Sequence, residues 1–167
     1  RDVLGSRATV YHANTVTGLI FLTVIGGALV AGLKAGLVYN TFPLMGEGMI
    51  PPDYFSVEPY WRNIFENVPA VQFNHRILAI ITVLAIVSLC VYSHFFCKSE
   101  WLLKMIYVMT TLAILQFLLG VLTLVNFVPE GLAVAHQFIG LCLFGTSVVI
   151  SWGVSIPRRY SPRSERA

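Results

Sequence analysis

The sequence predicts an all-α polytopic membrane protein, built as a bundle of four transmembrane helices. Of the 167 residues, 56% are hydrophobic and only 11% are charged, a balance too apolar for an ordinary soluble domain. The mean hydropathy is correspondingly high, at +0.75. Four separate apolar runs are each long enough for the roughly 20 residues that a helix needs to cross a hydrocarbon core. The lipid bilayer is therefore the first partner that the sequence predicts.

The four predicted helices are joined by loops of very different lengths. The apolar runs extend over approximately Thr15–Val38, Ala70–Phe96, Leu103–Phe127 and Gly131–Ile156. They predict an N-terminal segment at 1–14, a four-helix domain at 15–156 and a basic tail at 157–167. The only sizeable loop, at about 39–69, mixes acidic, aromatic and proline residues. This composition favours an ordered interfacial cap over the bundle, with a merely solvated loop as the alternative.

The distribution of basic residues predicts how the bundle is oriented. Eight of the eleven Lys and Arg residues flank the same end of the predicted bundle: Arg1, Arg7, Lys98, Lys104, Arg158, Arg159, Arg163 and Arg166. The long first loop carries Arg62 alone. By the positive-inside rule, both termini lie on the cytoplasmic or matrix side. The net charge of +3 is thus a topology signal, and we predict no nucleic-acid partner from it.

Two of the four histidines are candidates for a cofactor site. His12 precedes the first predicted helix and His94 lies near the inner end of the second, where an imidazole can reach water. His75 and His136 instead lie one to two turns inside the outer ends of two helices that run in the same direction. A single membrane histidine is most often a hydrogen-bonded structural residue. Two neutral imidazoles facing each other across a bundle, however, can hold haem iron from both sides.

The neighbours of these histidines are compatible with a flat ligand. Small residues lie within about one turn of each histidine on the same helix face, namely Ala79, Ala133 and Gly140. They leave room for a porphyrin, although small residues also serve plain helix packing. Arg76 and Lys34 lie near the outer helix ends, where they could pair with haem propionates or extend to the lipid headgroups. Gln116 and Asn126 could hydrogen-bond the cofactor or a neighbouring helix, and we favour the neighbouring helix.

A short internal similarity suggests two related halves within the bundle. Helix 1 ends in GLVYN and leads to VQFNHRILAI, whereas helix 3 ends in TLVNF and leads to LAVAHQFIGL. Two helix-loop-helix units, each providing one histidine at the same depth, would form a pseudo-symmetric cofactor site. The glycines of helix 1, at positions 18, 26, 27, 32 and 36, are interpreted as close-packing positions.

Four motifs in this order resemble the C-terminal half of haem A synthase. They are AGLKAGLVYNTFPLMG at 31–46, QFNHR at 72–76, LQFLLGVLTLV at 115–125 and AHQ at 135–137. The resemblance covers nearly the whole chain, and its first two motifs are specific. It implies an eight-helix, pseudo-symmetric enzyme built from two four-helix halves. Members of the family are oxidoreductases that oxidise the C8 methyl group of haem O to the formyl group of haem A, for cytochrome oxidase.

The resemblance also implies roles for individual residues. His75 and His136 match the axial ligands of a haem b, with iron held by both histidines. The substrate haem O is held in the N-terminal half, beside a glutamate three residues before a histidine. Gln72 stands at the corresponding place here and cannot act as a carboxylate. We therefore expect this chain to lack the catalytic carboxylate and to work with an N-terminal four-helix half.

Further partners and a location follow from the same resemblance. It suggests haem O synthase and further copies of the chain as candidate partners. Many bacterial relatives carry a cysteine pair in the outer loop, and the first loop here has no cysteine. This favours the mitochondrial inner membrane over a bacterial plasma membrane.

Two other functions remain open from the sequence. The chain could be a stand-alone bis-histidine electron carrier of the cytochrome b type. It could also be a membrane assembly factor without a cofactor. The first alternative would still require His75 and His136, whereas the second would require neither.

Overall fold

The computed structural model describes residues 7–155, which form four long α-helices. The helices are α1 (Arg7–Gly32), α2 (Val68–Phe96), α3 (Glu100–Val125) and α4 (Glu130–Ser155). Two short 3-10 helices, Ala35–Leu37 and Tyr60–Ile64, interrupt the loop between α1 and α2. All four long helices are long and apolar enough to cross a membrane, which confirms the predicted fold class. The predicted tail at 157–167 and residues 1–6 lie outside the described residues.

The four helices pack in a ring. Helix α1 contacts α2 and α4, and α3 likewise contacts α2 and α4. Because consecutive helices reverse direction, α2 and α4 run parallel to each other on a diagonal of the bundle. Side chains that point inwards from α2 and α4 therefore face each other across its centre.

The two ends of the bundle differ in how they are filled. We call the end with the α2–α3 connection the closed end, and the end with the long α1–α2 loop the loop end. The closed end holds most of the buried apolar core, which includes Ala13, Val16, Ile86, Leu89, Leu102, Ile106, Met109, Ile150 and Val154. Tight packing of these side chains supplies the dispersion contacts that hold the helices together in lipid.

Helix α1 departs from its predicted boundaries at both ends. It begins at Arg7 rather than Thr15, and it ends at Gly32 rather than Val38. The early start is possible because this first turn lies at the end of the bundle, where Arg7 is exposed while Thr9 is buried against its neighbours. The early end coincides with Lys34, whose backbone is left-handed with φ 52°, a conformation that stops an α-helix.

The shift of α1 corrects the prediction for one histidine. His12 does not precede the first helix but lies within it. Its Nε2 is 2.8 Å from Oγ of Ser88 on α2. His94 lies in the last turns of α2, as expected, with its Nδ1 2.7 Å from the hydroxyl of Tyr107 on α3. Both imidazoles thus join helices near the closed end.

The long loop is folded against the start of α2. Asn67 is the N-cap of this helix, and its side-chain oxygen accepts a hydrogen bond from the backbone of Ala70. Its Nδ2 donates to the carbonyl of Asp53 at 2.7 Å and to Oδ1 of Asn63 at 2.7 Å. Asn63 in turn donates to the carbonyl of Val57. Both asparagines are buried, so an amide network fixes the loop over the helix end.

An exposed ion pair marks the surface of the loop. The guanidinium of Arg62 donates hydrogen bonds to the carboxylate of Glu66, one helical turn later. This hydrogen bond lowers the pKa of the Glu66 carboxyl below its usual value and raises the pKa of Arg62. Because the two side chains are 41% and 46% exposed, solvent screens the pair, and we assign it no large role in stability.

The amide network generates a prediction about stability. Replacing Asn67 by Ala removes the helix cap and its loop hydrogen bonds, so unfolding should become easier by about 2–3 kcal/mol. Thermal unfolding of the detergent-solubilised protein measures the change. Asn126→Ala is the matched control, because Asn126 is exposed and bonds only to Leu122 of its own helix. Equal effects of the two substitutions would contradict the role given to Asn67.

Candidate cofactor site

A cavity occupies the loop end of the bundle. Its volume is about 760 Å³, which lies within the range of small-molecule and cofactor sites. All four helices line it, and Phe42 of the long loop packs edge-on against Phe117 of α3 at its wall. The walls are mainly apolar, so the cavity would exclude water around a bound group.

The structure brings the two candidate histidines into this one cavity. His75 of α2 and His136 of α4 both line it, and their helices lie on a diagonal of the bundle. The small residues predicted to make room also line the cavity, namely Ala79, Ala133 and Gly140. The two imidazoles are therefore contributed from opposite sides to the same space.

Each of these imidazoles lies against a glycine backbone of a neighbouring helix. A Cβ added at Gly27 of α1 would lie 3.2 Å from Cε1 of His75, and one at Gly26 would lie 3.2 Å from its Nδ1. A Cβ at Gly120 of α3 would lie only 2.9 Å from Cε1 of His136. A Cβ essentially never lies as close as the contact at Gly120, and the contacts at Gly26 and Gly27 are tighter than most. The absence of a Cβ therefore forms the cradle for each ring.

Only part of this arrangement could be predicted from the sequence. Gly26 and Gly27 were predicted as close-packing positions, and what they pack against is His75. The same interpretation is wrong for Gly18 and Gly32, which face open space. Gly120 was not among the predicted close-packing positions. It could have been recognised as a glycine of α3 that lies at the same depth in the bundle as His136 of α4.

Backbone groups orient the two rings in the same way. The His75 ring lies next to the backbone carbonyl of Thr23, and the His136 ring lies next to that of Gln116. In both rings Nδ1 is buried and has no hydrogen-bond partner within the described residues. Metal-bound histidines commonly direct their second nitrogen towards such a carbonyl. Each ring can therefore present Nε2 to the cavity.

The two helix-loop-helix units share this local geometry. In each unit, the carbonyl beside the histidine belongs to the residue four positions before the glycine. Seven positions after the glycine, the backbone becomes left-handed in both units, at Lys34 after Gly27 (φ 52°) and at Phe127 after Gly120 (φ 62°). The internal similarity seen in the sequence thus corresponds to a repeated arrangement of glycine, carbonyl and helix end.

Two cations lie at the loop end of the cavity. Arg76 lines the cavity, but its terminal nitrogens donate to the loop carbonyls of Tyr39 at 2.7 Å and Thr41 at 2.9 Å. Lys34 also lines the cavity and makes no ion pair within residues 7–155. The described lining contains no Asp or Glu. This end of the cavity is therefore positive and suited to an anionic group.

Two glutamines supply further polar groups to the cavity. Nε2 of Gln72 donates to the carbonyl of Tyr39 at 3.0 Å, while its Oε1 is buried without a partner. Nε2 of Gln116 lies 3.3 Å from Nε2 of His136, which bears out the expected contact with a neighbouring helix. The same expectation is wrong for Asn126, because its amide returns to a carbonyl of its own helix.

Taken together, the residues present fit a haem group. Two imidazoles approach from diagonal helices, glycine cradles fix their rings, and apolar walls surround the space between them. The positive loop end would receive carboxylates. In haem proteins in general, the iron ligands and the burial of the ring system tune the redox potential of the group.

Comparison with known proteins identifies the family of this chain. A family model described as cytochrome oxidase assembly protein matches residues 2–148. A haem A synthase of Wolbachia pipientis wMel is 43% identical over 140 residues, which cover 84% of this chain and 38% of that relative. Haem A synthase COX15 of Homo sapiens is 47% identical over 131 residues, covering 78% of this chain and 32% of the relative.

More distant relatives carry the same name. A haem A synthase of Nitrosospira multiformis is 35% identical over 147 residues, covering 88% of this chain and 41% of the relative. The chain thus spans about two fifths or less of the length of these relatives. No solved structure matches it. On the family match and these identities, the chain belongs to the haem A synthase family of cytochrome oxidase assembly proteins.

Proposed function

We propose that this chain is the haem b-binding half of a haem A synthase, with His75 and His136 as the two axial ligands. The observation that carries the proposal is the convergence of both imidazoles on one cavity from diagonal helices. When bound, haem b would supply reversible one-electron chemistry. The protein holds the group, orients both ligands and keeps water away.

The close approach of rings and glycines supports ligation through Nε2. We propose that the proton of each neutral imidazole is on Nδ1, on a ring that lies beside the backbone of Thr23 or Gln116, which leaves the lone pair on Nε2. The closeness of Gly27 and Gly120 restricts each ring to a narrow range of positions. Such preorganisation reduces the entropy that would be lost when both histidines bind one group.

The positive loop end supports a role in holding the propionates. We propose that Lys34 pairs with a propionate carboxylate, because it lines the cavity and has no ion pair within the described part of the chain. Arg76 adds positive charge at the same end, but its hydrogen bonds hold the loop in place. Its contribution to cofactor binding is therefore partly indirect, through the loop that covers the cavity.

The whole enzyme, in this proposal, oxidises the C8 methyl group of haem O to the formyl group of haem A. The substrate and the catalytic carboxylate belong to a second four-helix half. Two observations support this division. The chain covers only 32–41% of the three relatives described above, and Gln72 stands where a substrate half would need a glutamate. Electrons removed from the substrate would pass to the haem b of this half.

The membrane is proposed to be the mitochondrial inner membrane, with both termini on the matrix side. The chain is more similar to the human relative, at 47% identity, than to the Nitrosospira relative, at 35%. The orientation rests on the basic residues that flank the closed end. A bacterial plasma membrane with cytoplasmic termini is the corresponding arrangement for a bacterial protein.

Substitution of the ligands tests the proposal directly. Replacing either His75 or His136 by Ala should abolish the six-coordinate low-spin absorption spectrum of the purified, haem-loaded chain, because one of the two ligands is lost. It should also weaken haem retention. His12→Ala and His94→Ala are matched controls, because their rings bond to Ser88 and Tyr107 outside the cavity. An unchanged spectrum in a folded His75→Ala, His136→Ala double variant would show that haem is held elsewhere.

The glycine cradles give a second prediction. A methyl group at Gly120 would force the His136 ring to move, so Gly120→Ala should lower haem affinity by about tenfold and broaden the low-spin spectrum. Gly18→Ala is the control, since a Cβ there meets no atom within 4 Å. Haem titration monitored by absorbance measures both variants. Equal affinity of the Gly120→Ala and wild-type chains would argue against a cradle.

A third prediction concerns the propionates. Lys34→Gln should weaken haem binding by about two- to fivefold, because an exposed ion pair contributes up to roughly 1 kcal/mol. Lys98→Gln serves as the control, as this exposed lysine lies at the closed end. Haem dimethyl ester lacks the carboxylates, so it should bind the wild type and Lys34→Gln equally. A loss of affinity for the ester as well would assign Lys34 a structural role instead.

A further inference from the structure

The two candidate ligands differ in what holds their cavity-facing nitrogen. Nε2 of His136 lies 3.3 Å from Nε2 of Gln116. An amide nitrogen can only donate a hydrogen bond, so the ring nitrogen must be the acceptor. The His136 ring therefore carries its proton on Nδ1. Gln116 lies beside this imidazole with both its side chain and its backbone.

His75 has no such partner. Within residues 7–155 no side chain hydrogen-bonds its Nε2, and the neighbouring group on its ring is the backbone of Thr23. Thr23, which takes the position of Gln116 in the first helix-loop-helix unit, directs its hydroxyl to Thr82 of α2 at 2.8 Å. The Nε2 lone pair of His75 is consequently available to a ligand, whereas that of His136 is engaged.

We propose that Gln116 is a positioning residue that sets the order in which the two histidines bind haem iron. The proposal rests on the haem b-binding function given above. The lone pair on Nε2 of His136 cannot accept a hydrogen bond from the amide and bind iron at the same time. His75 therefore binds first, and His136 binds after the Gln116 amide has moved away. The second step forms one iron–nitrogen bond at the free axial position and changes no oxidation state.

The surroundings of Gln116 allow its side-chain amide to contact the His136 ring and to move away from it. A Cβ at Gly140 of α4 would lie 3.0 Å from Nε2 of Gln116, so the glycine provides the space in which the amide lies. Oε1 of Gln116 is buried without a partner. The amide is thus secured on one side only, and its release costs little more than one hydrogen bond.

The hydrogen bond from Gln116 also favours the tautomer of His136 that can bind iron through Nε2. Without Gln116, the Nε2 lone pair would be an unpaired acceptor in a mainly apolar cavity, and the ring could adopt the other tautomer. The amide holds the proton on Nδ1, which is the tautomer that iron binding through Nε2 requires. Gln116 therefore favours the tautomer of His136 that can bind iron, but it delays the binding step because its amide must first move away.

Stopped-flow mixing of the haem-free chain in detergent with ferric haem b tests this order. The wild type should show a five-coordinate intermediate, followed by a slower step to the six-coordinate low-spin form that does not depend on haem concentration. His136→Ala should stop at the intermediate. Gln116→Leu should accelerate the second step by about threefold to tenfold, the equivalent of one hydrogen bond, and leave the first step unchanged.

Two further variants separate the contact from general effects on packing. Gln116→Asn keeps an amide but shortens its reach by one methylene, so it should also accelerate the second step. Thr111→Val removes a polar group from α3 whose hydroxyl bonds only to Tyr107 of the same helix, and both rates should match the wild type. This control shows whether the loss of any polar side chain from α3 is sufficient to accelerate the second step.

The possible outcomes separate a failure of the proposed binding order from a failure of bis-histidine haem binding itself. A second step of unchanged rate in Gln116→Leu, or an intermediate that survives in His75→Ala but not in His136→Ala, would overturn the assigned order while leaving bis-histidine ligation intact. Failure of the wild type to form any six-coordinate species would overturn the proposed function itself, and the inference with it.

Discussion

The close contact between an imidazole ring and a glycine backbone is the constraint on which the site depends. It occurs twice, between His75 and the Gly26–Gly27 pair and between His136 and Gly120. In each case a ring on an even-numbered helix is held by the preceding helix. This fixes the depth and direction of both histidines while leaving the diagonal of the bundle open. The rings are held at the walls of the cavity, while small residues such as Ala79 and Ala133 keep the space between them open.

The division of the bundle into a closed end and a loop end follows from the same constraint. A cavity of about 760 Å³ removes dispersion contacts that the helices would otherwise make. The apolar core at the closed end, around Ile86, Ile106 and Ile150, compensates for this loss. At the loop end, Arg76 and Asn67 hold the loop by hydrogen bonds to backbone carbonyls. The structure can thus remain ordered around an open interior.

The sequence predicted the features that follow from long apolar segments and from the order of the helices. The number of helices, the parallel direction of α2 and α4, and the pairing of His75 with His136 all follow from hydropathy and topology. The limits of α1 did not, because its end is set by the left-handed backbone of Lys34 rather than by a loss of apolar residues.

The details that escaped prediction depend on contacts across space. The importance of Gly120 is visible only once a ring is known to lie against it. The composition of the loop predicted an ordered cap over the bundle, but not that Arg76 would donate hydrogen bonds to the backbone carbonyls of Tyr39 and Thr41. The contact of Gln116 with His136 was one of two open possibilities until the relative positions of α3 and α4 were known.

Electron paramagnetic resonance of the ferric, haem-loaded chain, with the haem content measured per chain, tests the central claim most directly. We expect one haem per chain and a low-spin signal of the bis-imidazole type, because we propose that His75 and His136 bind the same iron. A high-spin signal, more than one haem per chain, or no retained haem would contradict the placement of a single haem between the two diagonal helices.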